Sequence, residues 1–492
     1  MSREKFIHAV VAAFLGVGVF LFWWLWHPEA LSYQEQNQLF LWTGDYLWSR
    51  LSVAGGVADW LGEFIVQFFC VEWLGALMMA GLFLLMQRGG RMIFAHTERT
   101  PLSPPKGGNP PQSPRRGEEV PTLGTTVGVK NPSPSGRLGG VFGGVFGGVF
   151  GVFLPLFFLW LMGDENVLVA LPVAVTLVLA AIALLRRTRW WWWLPIVAAL
   201  YWSVGTSWTT YYRIPQHGPD LSGWDSEKWE LLKQDYLIRH ERWDELLERA
   251  KKHEVKTAFW SNSVNLALAM TGRLADSQFD YWQSGEDALL MPMVRDNVSN
   301  LPTAEAFWRL GMVNSALRYM SDIQESILNA RKSGRCEQRI VECMLVNGKY
   351  DLARKHLSLL KKSFFYRSWA EEAERFANGE KSGALAAAID KARRLRYKEN
   401  FLYSYPEIDK MLGILFQENP QNKMALEYFL GQLLLKGDAQ TFMQSLPMAQ
   451  QHGGYPVMPL AWQDAVGCMQ SRSVPDTPYG KYIKRKMGGQ QR

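Results

Sequence analysis

Apolar positions along this chain follow two patterns, and the change falls near Arg213. Before it they gather into runs at about 6–26, 64–86, 141–162, 166–185 and 190–211, each close to the ~20 residues with which a helix crosses a bilayer core of about 30 Å. After it they recur at three- and four-residue intervals, the period of a helix with one buried face. The pattern predicts an all-α protein: an N-terminal bundle of five transmembrane helices over 1–213, followed by a soluble α-helical repeat (tetratricopeptide-like) solenoid over 218–480. The last stretch, 481–492, is basic, has no such period and is expected to fray.

Charges flanking the runs orient them, because cytoplasmic loops carry the excess of Lys and Arg. Arg3 and Lys5 precede the first run, whereas 27–63 holds Glu29, Glu35, Asp45, Asp59 and Glu63 against the single Arg50. The loop from Arg88 to about Gly140 is basic, Asp164 and Glu165 make the next turn, and Arg186, Arg187 and Arg189 stand before the fifth run. This puts the N-terminus in the cytoplasm and the repeat domain outside, the arrangement of a multi-pass protein of the cell inner (cytoplasmic) membrane with a periplasmic C-terminal domain. Trp190 to Trp193 and the pair Tyr211 and Tyr212 suit the two headgroup belts. A cleaved signal is the rival for the first run, but the run is too long and no small-residue cleavage site precedes WWLWHPE.

Residues 100–136 are rich in Pro, Gly and Ser and have no apolar period, so a disordered cytoplasmic insertion is expected. Beyond it, Gly139, Gly143, Gly147 and Gly151 repeat every four residues, a spacing that lets another helix approach closely. Glu72 has two readings. Inside hydrocarbon it would mark function; if the second span is slid to 68–87, it lies near the outer headgroups and is solvated. Leu39, Phe40, Trp42, Tyr46, Leu47, Trp48 and Leu51 interleave with polar residues at helical spacing, as in a helix lying on the membrane surface or on the spans. The string LSYQEQNQLFLWTGDYLWSRLSVAGGVADWLGEFIVQFF, 31–69, resembles the N-terminal signature of a family of uncharacterised bacterial multispanning membrane proteins with a helical-repeat tail. The resemblance implies location and architecture; it brings no activity and no catalytic residue.

In the soluble half, Trp229, Leu232 and Tyr236 match the register of a tetratricopeptide first helix except that Lys233 replaces its glycine, and Trp243, Leu246, Leu247 and Ala250 give the second helix. The clearest unit is RCEQRIVECMLVNGKYDLARKHLSLLKK: Ile340 and Met344 face inward, Gly348 turns, and Tyr350, Ala353, Leu357 and Leu360 line the second helix. Weaker copies turn at Gly272, Gly311, Gly383 and Gly437, giving successive spacings with Gly348 of 39, 37, 35 and 54 residues, with an extra helix near Glu407 to Phe416. Cys336 and Cys343 share a buried helix face and lie too far apart along it to bond each other.

Composition changes this picture little. The net charge of +7 divides almost evenly between the halves, so nucleic acid is not a partner suggested by charge. The four cysteines are too scattered for a disulfide framework or a metal site, and no HExxH, GxSxG, Walker loop, GxGxxG or CxxC spacing is present. No catalytic, cofactor or metal residue is therefore assigned. Two function classes remain: a membrane-anchored interaction or scaffold protein presenting its repeats on the outer side, or a membrane enzyme or transport component with the repeats as a recruiting arm. For the first, Lys233, Arg239, Arg339 and Glu342 lie on first helices outside the packing positions and are expected to be free to meet a protein or peptide partner, so that alanine at Lys233, Arg239 and Arg339 shifts stability by no more than about 0.5 kcal/mol. For the second, Glu35, Asp45, Asp59 and Glu72 are the acidic candidates on the membrane side. Membrane lipid is the other expected partner.

Overall fold

The computed structural model describes residues 3–53, 55–95, 134–165, 167–185, 224, 226–327, 331–380, 382–398, 405–471 and 473–489. The described residues form helices and turns, with no strand among them. In the N-terminal half, α1 (Arg3–Leu21) continues into a wider turn at Phe22–Trp26, and Pro28, whose missing N–H costs nothing in a first turn, opens α2 (Pro28–Gln36). Then come α3 (Gly44–Leu51), capped by the Thr43 hydroxyl, α4 (Gly56–Val66), α5 (Glu72–Ala95), α6 (Pro134–Leu161) and α7 (Ala170–Leu185). The axis is α5: α1, α6 and α7 all pack along it. At the crossing with α6, a Cβ on Gly151 would lie 2.5 Å from Arg91 Cγ and 3.2 Å from the Gln87 carbonyl, so the missing side chain permits the approach.

Among the described residues one helix, Phe6–Trp26 with 21 residues, is long and apolar enough to cross a membrane; the apolar stretches Gly147–Leu161 and Ala170–Ala183 are shorter. The run expected at 64–86 is broken, because Val71 adopts extended backbone (φ −120°, ψ 106°) after a 3-10 turn at Gln67–Cys70, and the helix restarts at Glu72. The third and fourth runs coincide with α6 and α7. The fifth run, 190–211, and residues 100–133 of the insertion lie outside the described residues.

The surface helix expected across 39–51 is corrected in part. Only 44–51 is helical; residues 38–42 form no regular element, and their backbone pairs with the repeat domain, Leu39 N–H donating to the Lys332 carbonyl and Trp42 N–H to the Lys362 carbonyl, both at 2.8 Å. Donors satisfied across the fold have no need of a helix.

The repeat half starts at α8 (Glu227–Arg239), whose first turn is capped by Ser226, and α9 (Trp243–Ala250). It proceeds through α10 (Ala258–Met270), the short α11 (Leu274–Ser277), α12 (Leu301–Leu310), α13 (Val313–Ser326), α14 (Gly334–Val346) and α15 (Tyr350–Leu360). It ends with α16 (Arg367–Ala377), α17 (Ala384–Leu395), α18 (Ile408–Glu418), α19 (Lys423–Lys436), α20 (Ala439–His452), α21 (Leu460–Gln470) and α22 (Pro478–Gly489). All five turn glycines read from the sequence have left-handed φ, between 68° and 95°. Cys336 and Cys343 are buried on α14 and unbonded.

Two elements depart from the simple array. After α11 the chain runs irregularly to Asn300, held by buried amides: Asn265 donates to Gln283 and to the Ala288 carbonyl, Asn262 donates to the Asp287 carbonyl, and Asn300 accepts from Val294 N–H. The C-terminal stretch does not fray from 481. It belongs to α22, which buries Tyr479 and Tyr482 against Phe279 and donates from Lys486 to the Leu435 and Lys436 carbonyls that end α19. Tyr479, Tyr482, Ile483 and Met487 follow one another at three, one and four residues, a helical period that the run of lysines and arginines between them obscures.

Candidate functional site at the seam of the two halves

Buried polar residues gather where α2 and α4 meet the repeat helices. Nearly all of α2 is buried, and its principal neighbours are α8, the 3-10 turn at Gln67–Cys70, α5 and α14. Glu29 accepts from Lys233 Nζ at 2.8 Å and pairs with His27 Nδ1 at 2.9 Å. Burial pushes the Glu29 carboxyl up, but hydrogen bonds and charge from His27 and Lys233 outweigh it and hold the group below its ordinary range. Nearly two turns on, Glu35 accepts from Arg239 at 2.8 Å and from the Tyr366 hydroxyl at 2.7 Å, and burial with the Glu35 charge drives that phenol well above its ordinary value. The side-chain carbonyl of Gln36 takes Arg335 Nη1 at 2.8 Å.

Behind this first row lies a second. Arg335 also donates to Asp235 at 2.8 Å and, at 3.4 Å, to Glu305, which in turn accepts from Arg339 at 2.9 Å. Burial alone would raise Glu305; Arg339, Arg335 and Arg309 override it and hold the carboxyl at about 2. Glu342 pairs with Arg339 at 2.5 Å, yet burial, its largest influence, leaves its carboxyl raised. On α4, Glu63 accepts from Arg331 at 2.9 Å and from Arg50 at 3.0 Å, and Asp59 lies 3.7 Å from Arg331.

The sequence-derived candidates are thus brought together in a way their separate assignment did not anticipate. Lys233 and Arg239 are not free: they neutralise Glu29 and Glu35, and Lys233 is only 12% exposed. Arg339 and Glu342 face each other and Glu305. Of the acidic set, Glu35 and Asp59 are buried in the seam, while Asp45 is exposed in the first turn of α3 and takes no part. Glu72 is the first residue of α5 and accepts from the Tyr236 hydroxyl, with His240 Nε2 at 3.6 Å. On and just after α17, two arginines join neighbouring repeats: Arg393 donates to the Leu345 carbonyl at 2.8 Å and Arg396 to Asn347 at 2.9 Å.

Sequence reasoning missed Glu29, Glu63, Asp235, Glu305, Arg331, Arg335 and Tyr366. A signal was available in residues 27–63, where five acids face one arginine and call for cations from elsewhere in the fold. Trp229 and Leu232 were also misassigned. Rather than filling the α8–α9 hairpin they enter the core of the N-terminal half, Trp229 Nε1 donating to the Gly163 carbonyl at 2.5 Å, while Leu39 enters the repeat core in exchange.

Residues 3–213 and 206–487 match a family described as a family of unknown function, DUF6057. The chain belongs to that family. No curated protein and no solved structure matches it. Membership therefore accounts for both halves of the chain, seam included, and attaches no reaction to them.

Two openings flank the seam. One, of about 220 Å³, lies among Arg239, Arg309, Arg335 and Arg339, whose charges are met by Glu35, Glu241, Glu305 and Glu342. The other, of about 530 Å³, opens at the end of the Phe6–Trp26 helix between α2, α8 and α9. Among the described residues no group of His, Cys, Asp and Glu is arranged to hold a metal ion.

Proposed function

We propose that the chain is a membrane-anchored interaction protein: five spans hold it in the inner membrane, and the tetratricopeptide-like repeats stand on the periplasmic side as a fixed cap on the outer loop of the membrane half. The observation that carries this reading is the direct path from the candidate membrane helix into the seam. Phe6–Trp26 ends one residue before α2, and α2 is locked to the repeats through Glu29–Lys233 and Glu35–Arg239. Exposed apolar residues support the anchor, including Phe14 and Val17 on α1, Leu77 and Leu85 on α5, and Phe153 and Trp160 on α6; so large an apolar exposure on several helices suits lipid contact.

With α2 occupying the inner face, a protein partner engages the outward surfaces of the array rather than the Lys233 and Arg239 row. The alternative, a membrane enzyme or transport component, draws on the outer-loop carboxylates. Their pairing with Lys233, Arg239 and Arg331 favours a structural part for them.

Topology tests the anchor. A reporter active only outside the cytoplasm is expected to work when fused after Asp220 and to fail after Arg116; equal activity at both sites would sink the orientation. For the interaction role, a photocrosslinker at exposed Leu460 is expected to capture a second polypeptide and one at Lys233 only the chain itself. Capture at 233 and not at 460 would return the partner to the inner face.

A further inference from the structure

The turn between α15 and α16 sets an exposed aromatic ring among exposed cations. Phe364 is 63% exposed, and Lys362 and Arg367 on either side of it are exposed and have no ion-pair partner among the described residues. Lys361 is paired with Glu374 at 2.8 Å. Over 361–370 the sequence holds three cations and no acid; the first carboxylates after the turn are Glu371 and Glu372.

This turn of the repeat domain is fixed against the N-terminal half. Trp42 N–H donates to the Lys362 carbonyl at 2.8 Å, and ring contacts run from Trp42 through Phe64, Phe68 and Phe365 to Phe364, with successive centroids 5.1–5.8 Å apart. Phe68 stands four residues before Glu72, where α5 begins, and α5 then carries the exposed apolar residues Trp73, Leu77 and Leu85 at intervals of four and eight. The exposed ring is thereby held at the end of α5 from which that apolar stripe starts.

We propose that the 361–367 turn enters the interface of the outer leaflet, giving the repeat domain its own contact with the bilayer; the inference rests on the membrane reading above, in which α5 enters the bilayer at this end. Phe364 lies at the boundary of the acyl chains, a place that favours aromatic rings, and Lys362 and Arg367 reach back to donate to lipid phosphates. Charge selects this occupant. Cations flanking an exposed ring suit the anionic face of a bilayer, whereas two copies of the chain paired through this face about a two-fold axis would set like charges together.

The test uses the purified full chain in vesicles of phosphatidylethanolamine and phosphatidylglycerol, with a phospholipid bearing a photoreactive diazirine high in its acyl chain. On illumination, labelling within 363–367 is expected to exceed that at Leu460, which is 66% exposed on α21, by about ten-fold or more. Lys362→Glu with Arg367→Glu is expected to lower it about five-fold with unchanged circular dichroism. Labelling no higher than at Leu460 overturns the proposal, as does labelling indifferent to the double charge reversal. Labelling that falls as more copies are placed in each vesicle also overturns it, by showing a second chain on this face. Leu77 separates the two readings: label at Leu77 and not at 363–367 overturns the contact of the turn alone, label at 363–367 and not at Leu77 overturns the span alone, and label at neither overturns both.

Discussion

Glu427 and Glu305 are both buried carboxyls on repeat helices, yet their neighbours drive them in opposite directions. Glu427 on α19 has, among the described residues, the Tyr455 hydroxyl as its one hydrogen-bond partner and weak help from Lys423, so burial raises it to about 7. Its folded form holds a proton that the unfolded chain releases near 4.5. Stability therefore falls as pH rises from 4.5 through 7, and Glu427→Gln is expected to be the more stable protein at pH 8, on the order of 3 kcal/mol, with no advantage at pH 4. For Glu305, held at about 2, the sign reverses: its contribution is present above 4.5 and lost as pH falls through 2. Urea unfolding of parent and variant at pH 4 and pH 8 checks the first; a Glu427→Gln advantage that does not grow with pH contradicts it. Lys233→Ala and Arg239→Ala belong to the same scale. Each takes the lysine or arginine from a carboxylate less than 5% exposed, leaving Glu29 with His27 and Glu35 with the Tyr366 hydroxyl, so the expected loss is about 3 kcal/mol rather than the few tenths of an exposed position. Midpoint shifts worth under 0.5 kcal/mol would mean that solvent reaches these pairs.

At the scale of the element, the turns differ although their glycines look alike in sequence. Gly311 has φ 83°, and a Cβ there would lie 2.4 Å from the Leu395 carbonyl oxygen at the end of α17; Gly348 has φ 69° and open space around it. Ala at 348 pays only the left-handed backbone penalty, about 1 kcal/mol. Gly311→Ala must in addition move one repeat away from another and is expected to cost at least twice as much. Thermal melts of the two variants rank them, and equal shifts would show that α17 yields without cost. The caps were easier to foresee: Ser226, Thr257 and Ser333 each accept from the N–H three residues on, as a polar residue before an apolar helical run predicts. The break at Val71 was not, because a β-branched residue between two apolar runs carries no sign of which way the backbone turns.

For the whole molecule, the exchange of core residues ties the halves together. Leu39 lies in the repeat core, Trp229 and Leu232 in the other, and Lys228, Lys233, Arg239 and Arg331 find their acids on the N-terminal side. Expressed alone, residues 218–492 are expected to be soluble only in part and less stable than in the full chain, since they expose Trp229 and leave those cations unpaired. Co-expression of residues 1–217 is expected to restore protease resistance at α8. An isolated repeat half as resistant as the full chain would show that the seam adds nothing to its folding.

The sequence by itself determined what short range decides. Helical periodicity, the five turn glycines, the extra helix before α19 and the buried faces of Cys336 and Cys343 were all legible, because each depends on residues within a few positions of one another. Tertiary structure decided which charges meet. Glu29 and Lys233 stand 204 residues apart, and no spacing links them until α2 is laid along α8. The same packing turned Lys233 and Arg239 from apparent surface into seam and Trp229 from hairpin filler into an anchor in the other half. An amphipathic helix announces that it has a face to bury; what covers that face is settled only when another element arrives with matching shape and opposite charge.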